Sequence, residues 1–262
     1  MTETMRMGLE SFENFASMSL DYLFLSFMLY SFLGWLFETT IVSLWESGHF
    51  LNRGSLLGPY CPVYGGGAIL GIVMGSYIQN PLMLFFTSGC LCICCELLCA
   101  TILEDIFHVK LWDYSGIPFN FKGRICLIGF LFFGLAATTI SKFVEPFFVM
   151  MLDHIRPEIV TTTAALLAIV LFADTVLSAV AFSRKSRRLF RFYIRYHRML
   201  NREFRSISYK LMDRTPTWIR SDLSDMQEAI LRKNRRMNER HLEHKEQLEE
   251  KVEEKLDRFR RN

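Results

Sequence analysis

Three carboxylates stand where a polypeptide can least readily hold them. Glu38, Glu96 and Asp174 each lie inside a mostly apolar stretch, roughly Tyr22 to Leu44, Leu82 to Glu104 and Ile159 to Phe182, and about 20 such residues are what an α-helix needs to cross a bilayer. An acid facing lipid costs on the order of 2.5–3.5 kcal/mol, so such residues turn toward a bundle interior or a wet cavity. None of the spans contains a Lys or Arg to neutralise them. Two readings follow: the acids bind a proton, a cation or the cationic group of a substrate, or they form interhelical hydrogen bonds that hold the bundle together.

The elements that must position these acids follow from the charge distribution. Of 262 residues, 51% are hydrophobic and 24 are Phe. Residues 1–182 hold 7 Lys and Arg against 14 Asp and Glu, whereas residues 183–262 hold 23 against 13. A charge-poor, apolar front is thus joined to a charged, basic back. Besides the three spans above, Val63 to Ile78 and Ile125 to Ser141 are shorter apolar candidates. The fold class expected is all-α: a polytopic membrane bundle of about five transmembrane helices with a C-terminal cytoplasmic helical tail. The divisions are 1–20 as an extracytoplasmic tail, 21–182 as the transmembrane domain and 183–262 as the basic tail. The run KFVEPFFVMMLDHIRPE, interrupted by Pro146 and Pro157, reads as an interfacial segment.

Orientation follows from Lys and Arg, which favour the cytoplasmic side. The seven basic residues of SRKSRRLFRFYIRYHR place the end of the last span inside, and counting back puts the N-terminus outside. Acidic residues before the first apolar run and the lack of a basic leader argue against a cleaved signal peptide. Glu38, Glu96 and Asp174 then all fall roughly 9–12 Å from the cytoplasmic boundary, at about 1.5 Å of rise per residue. Arg53 and Arg124 could reach up to them from the inner loops. With Tyr60, Glu104, Asp113 and Tyr114, these arginines form the expected mouth of a polar site.

Other features carry less chemistry. Gly67, Gly71 and Gly75 make consecutive G-x-x-x-G steps, which let helix backbones approach closely. Upstream, Gly58, Pro59, Pro62 and Gly65 preclude a regular helix, and irregular backbone at a membrane edge must be buried in protein or line a cavity. Five of seven cysteines crowd between Cys90 and Cys99. Only Cys95 and Cys99 have ligand-like spacing, so they read as packing; neither a metal nor a cofactor is expected. His49, His108 and His154 are isolated. No P-loop, zinc-protease or serine-hydrolase motif occurs. Positive-inside placement explains the basic tail without nucleic acid. Leu189, Tyr193, Tyr196, Leu200, Phe204, Ile207 and Leu211 recur at helical steps, a face for anionic lipid or a partner. Beyond Pro216, Leu223, Ile230 and Met237 keep a seven-residue step that His244 ends, a short coiled-coil signal within a charged helix.

SFLGWLFET (Ser31 to Thr39), the N-R-G-x-L-x-G-P-Y-C-P-x-Y-G pattern from Asn52 to Gly65, the spacing of Glu96 and Glu104, and WDYSGIPFNFKGRICL (Trp112 to Leu127) resemble the CmpB-like family of ABC-transporter permeases, type IV. The likeness covers about Tyr22 to Leu177 and leaves out the charged tail. It implies a multi-pass protein of the bacterial cytoplasmic membrane with about five spans, and it assigns no residue a role. The function expected is a transport permease with Glu38, Glu96 and Asp174 as substrate or cation site. Its partners would be membrane lipid, a separate ATPase subunit docking near Trp112 to Arg124 and the tail, and a second copy of the chain. An intramembrane carboxylate enzyme, and an anchor or sensor whose tail recruits a cytoplasmic protein, are the alternatives.

Overall fold

The computed structural model describes residues 20–107, 112–182 and 187–214, together with Glu228 and Arg232. The N-terminal tail, His108, and the seven-residue step at Leu223, Ile230 and Met237 lie outside these residues. Helix α1 (Leu20–Phe37) runs through a π turn (Glu38–Val42) into α2 (Ser43–Ser47). It stops at Gly48, whose φ of 75° lets its N–H return to the Leu44 carbonyl. After an irregular segment, α3 (Pro62–Tyr77) begins on a proline, whose missing N–H costs nothing at a helix start. Asn80 accepts the backbone N–H groups of Leu82 and Met83 and so caps α4 (Pro81–Phe107). A short hairpin, β1 (Asn120–Phe121) and β2 (Ile125–Cys126), leads into α5 (Leu127–Thr139), a second π turn (Ile140–Val144) and α6 (Glu145–Asp153). Helices α7 (Pro157–Phe182) and α8 (Arg187–Arg214) complete the order.

Four of these helical runs are long and apolar enough to cross a membrane: Leu20–Val42, Pro81–Asp105, Leu127–Asp153 and Pro157–Ala181. The fifth, α3, has 16 residues and rises about 24 Å, short of the roughly 30 Å of a hydrocarbon core. Burial is inverted relative to a water-soluble core. Ser26, Ser31, Thr39, Ser43, Ser88 and Ser178 are buried, while Leu82, Phe86, Leu98, Leu135, Phe143, Leu166 and Phe172 point outward. Small and polar residues between helices with an apolar exterior suit packing in lipid, where apolar side chains gain nothing by leaving the surface. The fold is an all-α membrane helix bundle.

The segment read as interfacial from the sequence differs. Leu127–Asp153 is continuous helix of 27 residues. The π turn ahead of Pro146 absorbs the ring and the absent N–H that would otherwise break an α-helix. This places Glu145 inside the bundle, where Ser26 Oγ (2.6 Å) and Tyr30 OH (2.8 Å) donate to its carboxylate. Helix α3 packs centrally, against α1, α4 and α5. A Cβ on Gly71 would stand 2.7 Å from that of Ala137, and one on Gly75 would overlap Ser141 Oγ; Gly67 lies more loosely against Cys92.

The connections at one end of the bundle are tied down by named groups. In the hairpin turn Lys122 and Gly123 both have positive φ, as a type I′ turn requires. Trp112 Nε1 and Tyr114 N donate to the Arg124 and Gly123 carbonyls, which fixes the loop over the ends of α4 and α5. Helix α8 docks on residues 51–57. Tyr193 OH donates to the Ser55 carbonyl (2.7 Å), Asn201 Oδ1 accepts from Asn52 N (2.7 Å), and Phe204 meets Trp35 edge-on. Part of the amphipathic face, Tyr193 and Phe204, is therefore covered by the chain itself, whereas Ile207 and Leu211 remain exposed.

Asn52 also fixes a tautomer. Its Oδ1 accepts from Trp35 Nε1 (2.7 Å) and Gly54 N (3.2 Å), so its Nδ2 is the donor to His197 Nδ1. Burial lowers the His197 pKa from 6.5. The neutral ring is the one that fits, so its contribution to docking is present above pH 6.5 and is lost as pH falls toward the depressed folded value. The protection of α8 amides, corrected for the intrinsic pH dependence of exchange, should thus fall as pH drops from 7.5 to 5.5, and His197→Asn should flatten that dependence. Gly75→Leu should force α3 from α5, with a loss of about 1–3 kcal/mol by analogy with overpacked cores, read as a lower melting temperature in detergent; Gly66→Ala, with open space around it, should change little.

Candidate functional site

Glu38 and Glu96 lie on different helices, and the bundle brings both to one cavity of ≈ 370 Å³ at the end where residues 51–61, the 112–126 loop and α8 meet. Glu38 opens the π turn of the first span, an irregularity often found at functional positions. Arg53 Nε donates to its Oε2 (2.8 Å) and Tyr64 OH to its Oε1 (2.6 Å). That ion pair is part-exposed, at 28% and 21%, so water screens it and its worth lies in orientation.

Glu96 is held differently. Tyr114 OH donates to its Oε1 (2.9 Å), while its Oε2 has no hydrogen-bond partner although the residue is only 3% exposed. Burial, then the Glu96 carboxylate, push the Tyr114 phenol above its ordinary range, so the proton that donates stays in place. Burial raises Tyr193 likewise. A buried carboxylate oxygen with nothing on it is costly; this one lies toward Gly129 of α5, while the Glu96 side chain also lines a space that could hold a ligand. Trp112, Phe133, Tyr193 and Cys61 complete much of the wall with Tyr64 and Tyr114.

The remaining expected site residues go elsewhere. Asp174 is 7% exposed; it accepts Leu57 N (2.9 Å), Gly58 N (2.7 Å), Tyr60 OH and Ser178 Oγ (3.0 Å) and does not line the cavity. Tyr60, expected at the mouth, is thereby buried on α7. Arg124 gives Nε (2.9 Å) and Nη2 (2.7 Å) to Glu104 and Nη1 to Thr101, outside the cavity lining. Asp113 Oδ1 accepts Ser115 N (2.9 Å) in the loop. Arg53 and Tyr114 do line the cavity. Among the described residues no group of three or more His, Cys, Asp or Glu could hold a metal ion.

Sequence reasoning missed Tyr64, Phe133, Tyr193 and a third buried acid, Glu145. Tyr60 and Tyr64 sit in one irregular run, and nothing local says which reaches which acid. Glu145 could have been found as an acid within an apolar run, KFVEPFF, had Pro146 not argued for a break.

No curated protein and no solved structure matches the chain. A family model matches residues 25–179. That interval holds both cavity acids and every lining residue except Tyr193, and it stops before α8. With its apolar spans and more than half its length matched, this chain belongs to the membrane-protein family described as Putative ABC-transporter type IV.

Proposed function

We propose that this chain is a transport permease of a bacterial cytoplasmic membrane, and that Glu96, seconded by Glu38, is the polar site at which a proton, a cation or a cationic group is held. The observation that carries this reading is the buried Glu96, with one carboxylate oxygen unpartnered, lining together with Glu38 a cavity inside a bundle built to cross lipid. An acid that only tied helices together would be satisfied on both oxygens, as Glu145 and Asp174 are. Glu96 is left half-satisfied, and a charge or proton arriving there relieves the cost.

Arg53, Lys122, Arg124 and the arginines of α8 cluster at the cavity's end of the bundle, with Lys142 and Arg156 toward the other. The positive-inside bias supports a cytoplasmic cavity and C-terminus and an outer N-terminus. A separate ATPase subunit would then dock on the same end, over the 112–126 loop and α8, since the family description is that of an ABC transporter.

In cells lacking the chain, Glu96→Gln should fail to restore the transport-dependent phenotype, with a loss of about tenfold or more, the scale of one interaction with a charged group. The variant should still insert and run as a single species in detergent. Glu38→Gln should lose less, because Arg53 remains near. Full complementation by Glu96→Gln at wild-type expression would overturn the site, and affinity capture without any P-loop ATPase, together with transport indifferent to ATP depletion, would overturn the partner.

A further inference from the structure

The wall of the cavity says more than its charge. Tyr64, Trp112, Tyr114, Phe133 and Tyr193 place five aromatic rings around the same ≈ 370 Å³ as Glu96. Three of their polar ends are already spent: the Tyr64 and Tyr114 hydroxyls donate to Glu38 and Glu96, and the Tyr193 hydroxyl donates to Ser55. Trp112 Nε1 is likewise committed, to the Arg124 carbonyl. What these residues still offer a ligand is their π faces and edges. The second acid is committed too, since Glu38 is matched by Arg53. One carboxylate oxygen, Glu96 Oε2, is left without a partner.

This donor set serves a small inorganic ion poorly. Calcium takes 6–8 oxygen ligands and magnesium an octahedron, and no cluster of three acid or thiol ligands exists among the described residues. A substituted ammonium asks for something else: one negative charge and aromatic faces within about 6 Å of its alkyl groups, an attraction that grows when water is excluded. The cavity volume also falls within the range of sites for small organic ligands and exceeds the space a bare ion fills. We propose that the cavity takes an organic cation, a substituted ammonium whose charge is met by the Glu96 carboxylate in the cavity wall and whose apolar substituents lie among Tyr64, Trp112, Tyr114 and Phe133. This rests on the acidic-cavity reading above and names its ligand class.

The test uses the full chain in lipid nanodiscs at constant ionic strength and pH 7.5, with binding followed by calorimetry and by thermal stabilisation. The probes are tetramethylammonium, choline, the uncharged choline isostere 3,3-dimethylbutanol, sodium and potassium. The two ammonium ions should bind and stabilise, with the isostere and the alkali ions at least about tenfold weaker. Glu96→Gln should abolish the difference between choline and its isostere, and Trp112→Leu should weaken choline about threefold or more, the lower end of one cation–π contact. Should Trp112→Leu fail to fold, Phe133→Leu reads the same wall. Sodium or potassium binding as tightly as choline, through Glu96 and indifferent to Trp112 and Phe133, would overturn the organic cation while leaving the acid site standing. No cation binding at all, with Glu96→Gln indistinguishable from the parent chain, would remove both.

Discussion

A backbone that leaves the helix at the end of a membrane bundle must have its N–H and C=O groups met by protein, and the run from Leu51 to Cys61 is the place where this chain faces that demand. Its groups are met from four directions. Ser43 takes Leu51 N, Asn201 takes Asn52 N, Asp174 takes Leu57 N and Gly58 N, and the Ser31 carbonyl takes Cys61 N. Helices α1, α2, α7 and α8 are thereby gathered around one irregular segment. Arg53, Tyr60 and the start of α3 take their positions from it, and so does the wall of the cavity.

The same demand separates the buried acids into two kinds. Asp174 and Glu145 have donors on both oxygens: those of Asp174 come from the irregular segment and from Ser178 of its own helix, those of Glu145 from Ser26 and Tyr30 of α1. They act as ties, which is the inexpensive way to keep a carboxyl group between helices. Glu38 is balanced by an arginine and a phenol, whereas Glu96 has a phenol on one oxygen and no hydrogen-bond partner on the other. The difference is one of satisfaction rather than of depth or residue type.

Small residues make the arrangement feasible. Gly71 and Gly75 let α3 press against Ala137 and Ser141, and Gly34 and Gly65 leave room for Tyr64 and Phe27 between α1 and α3. With α3 held this closely, Tyr64 arrives at Glu38. The hairpin loop, fixed by its type I′ turn and by Trp112, delivers Tyr114 to Glu96 from the opposite side. Helix α8 then closes the remaining wall with Tyr193, and it does so from outside the interval that the family shares.

The sequence by itself determined that the chain is a membrane helix bundle, because apolar length, charge asymmetry and small-residue steps are local properties that lipid reads directly. It also marked Glu38, Glu96 and Asp174 as acids needing an explanation, since the cost of burying a carboxyl group depends on where it sits along a span. Only the tertiary structure decided which acids share a space. Depth along a helix is legible from counting residues, but the direction a side chain faces depends on helix rotation, on two π turns and on contacts more than a hundred residues apart, such as Tyr60 with Asp174 and Ser26 with Glu145. Counting put the three acids at one level. Rotation and the irregular segment left Glu38 and Glu96 around the cavity and turned Asp174 to the backbone it holds.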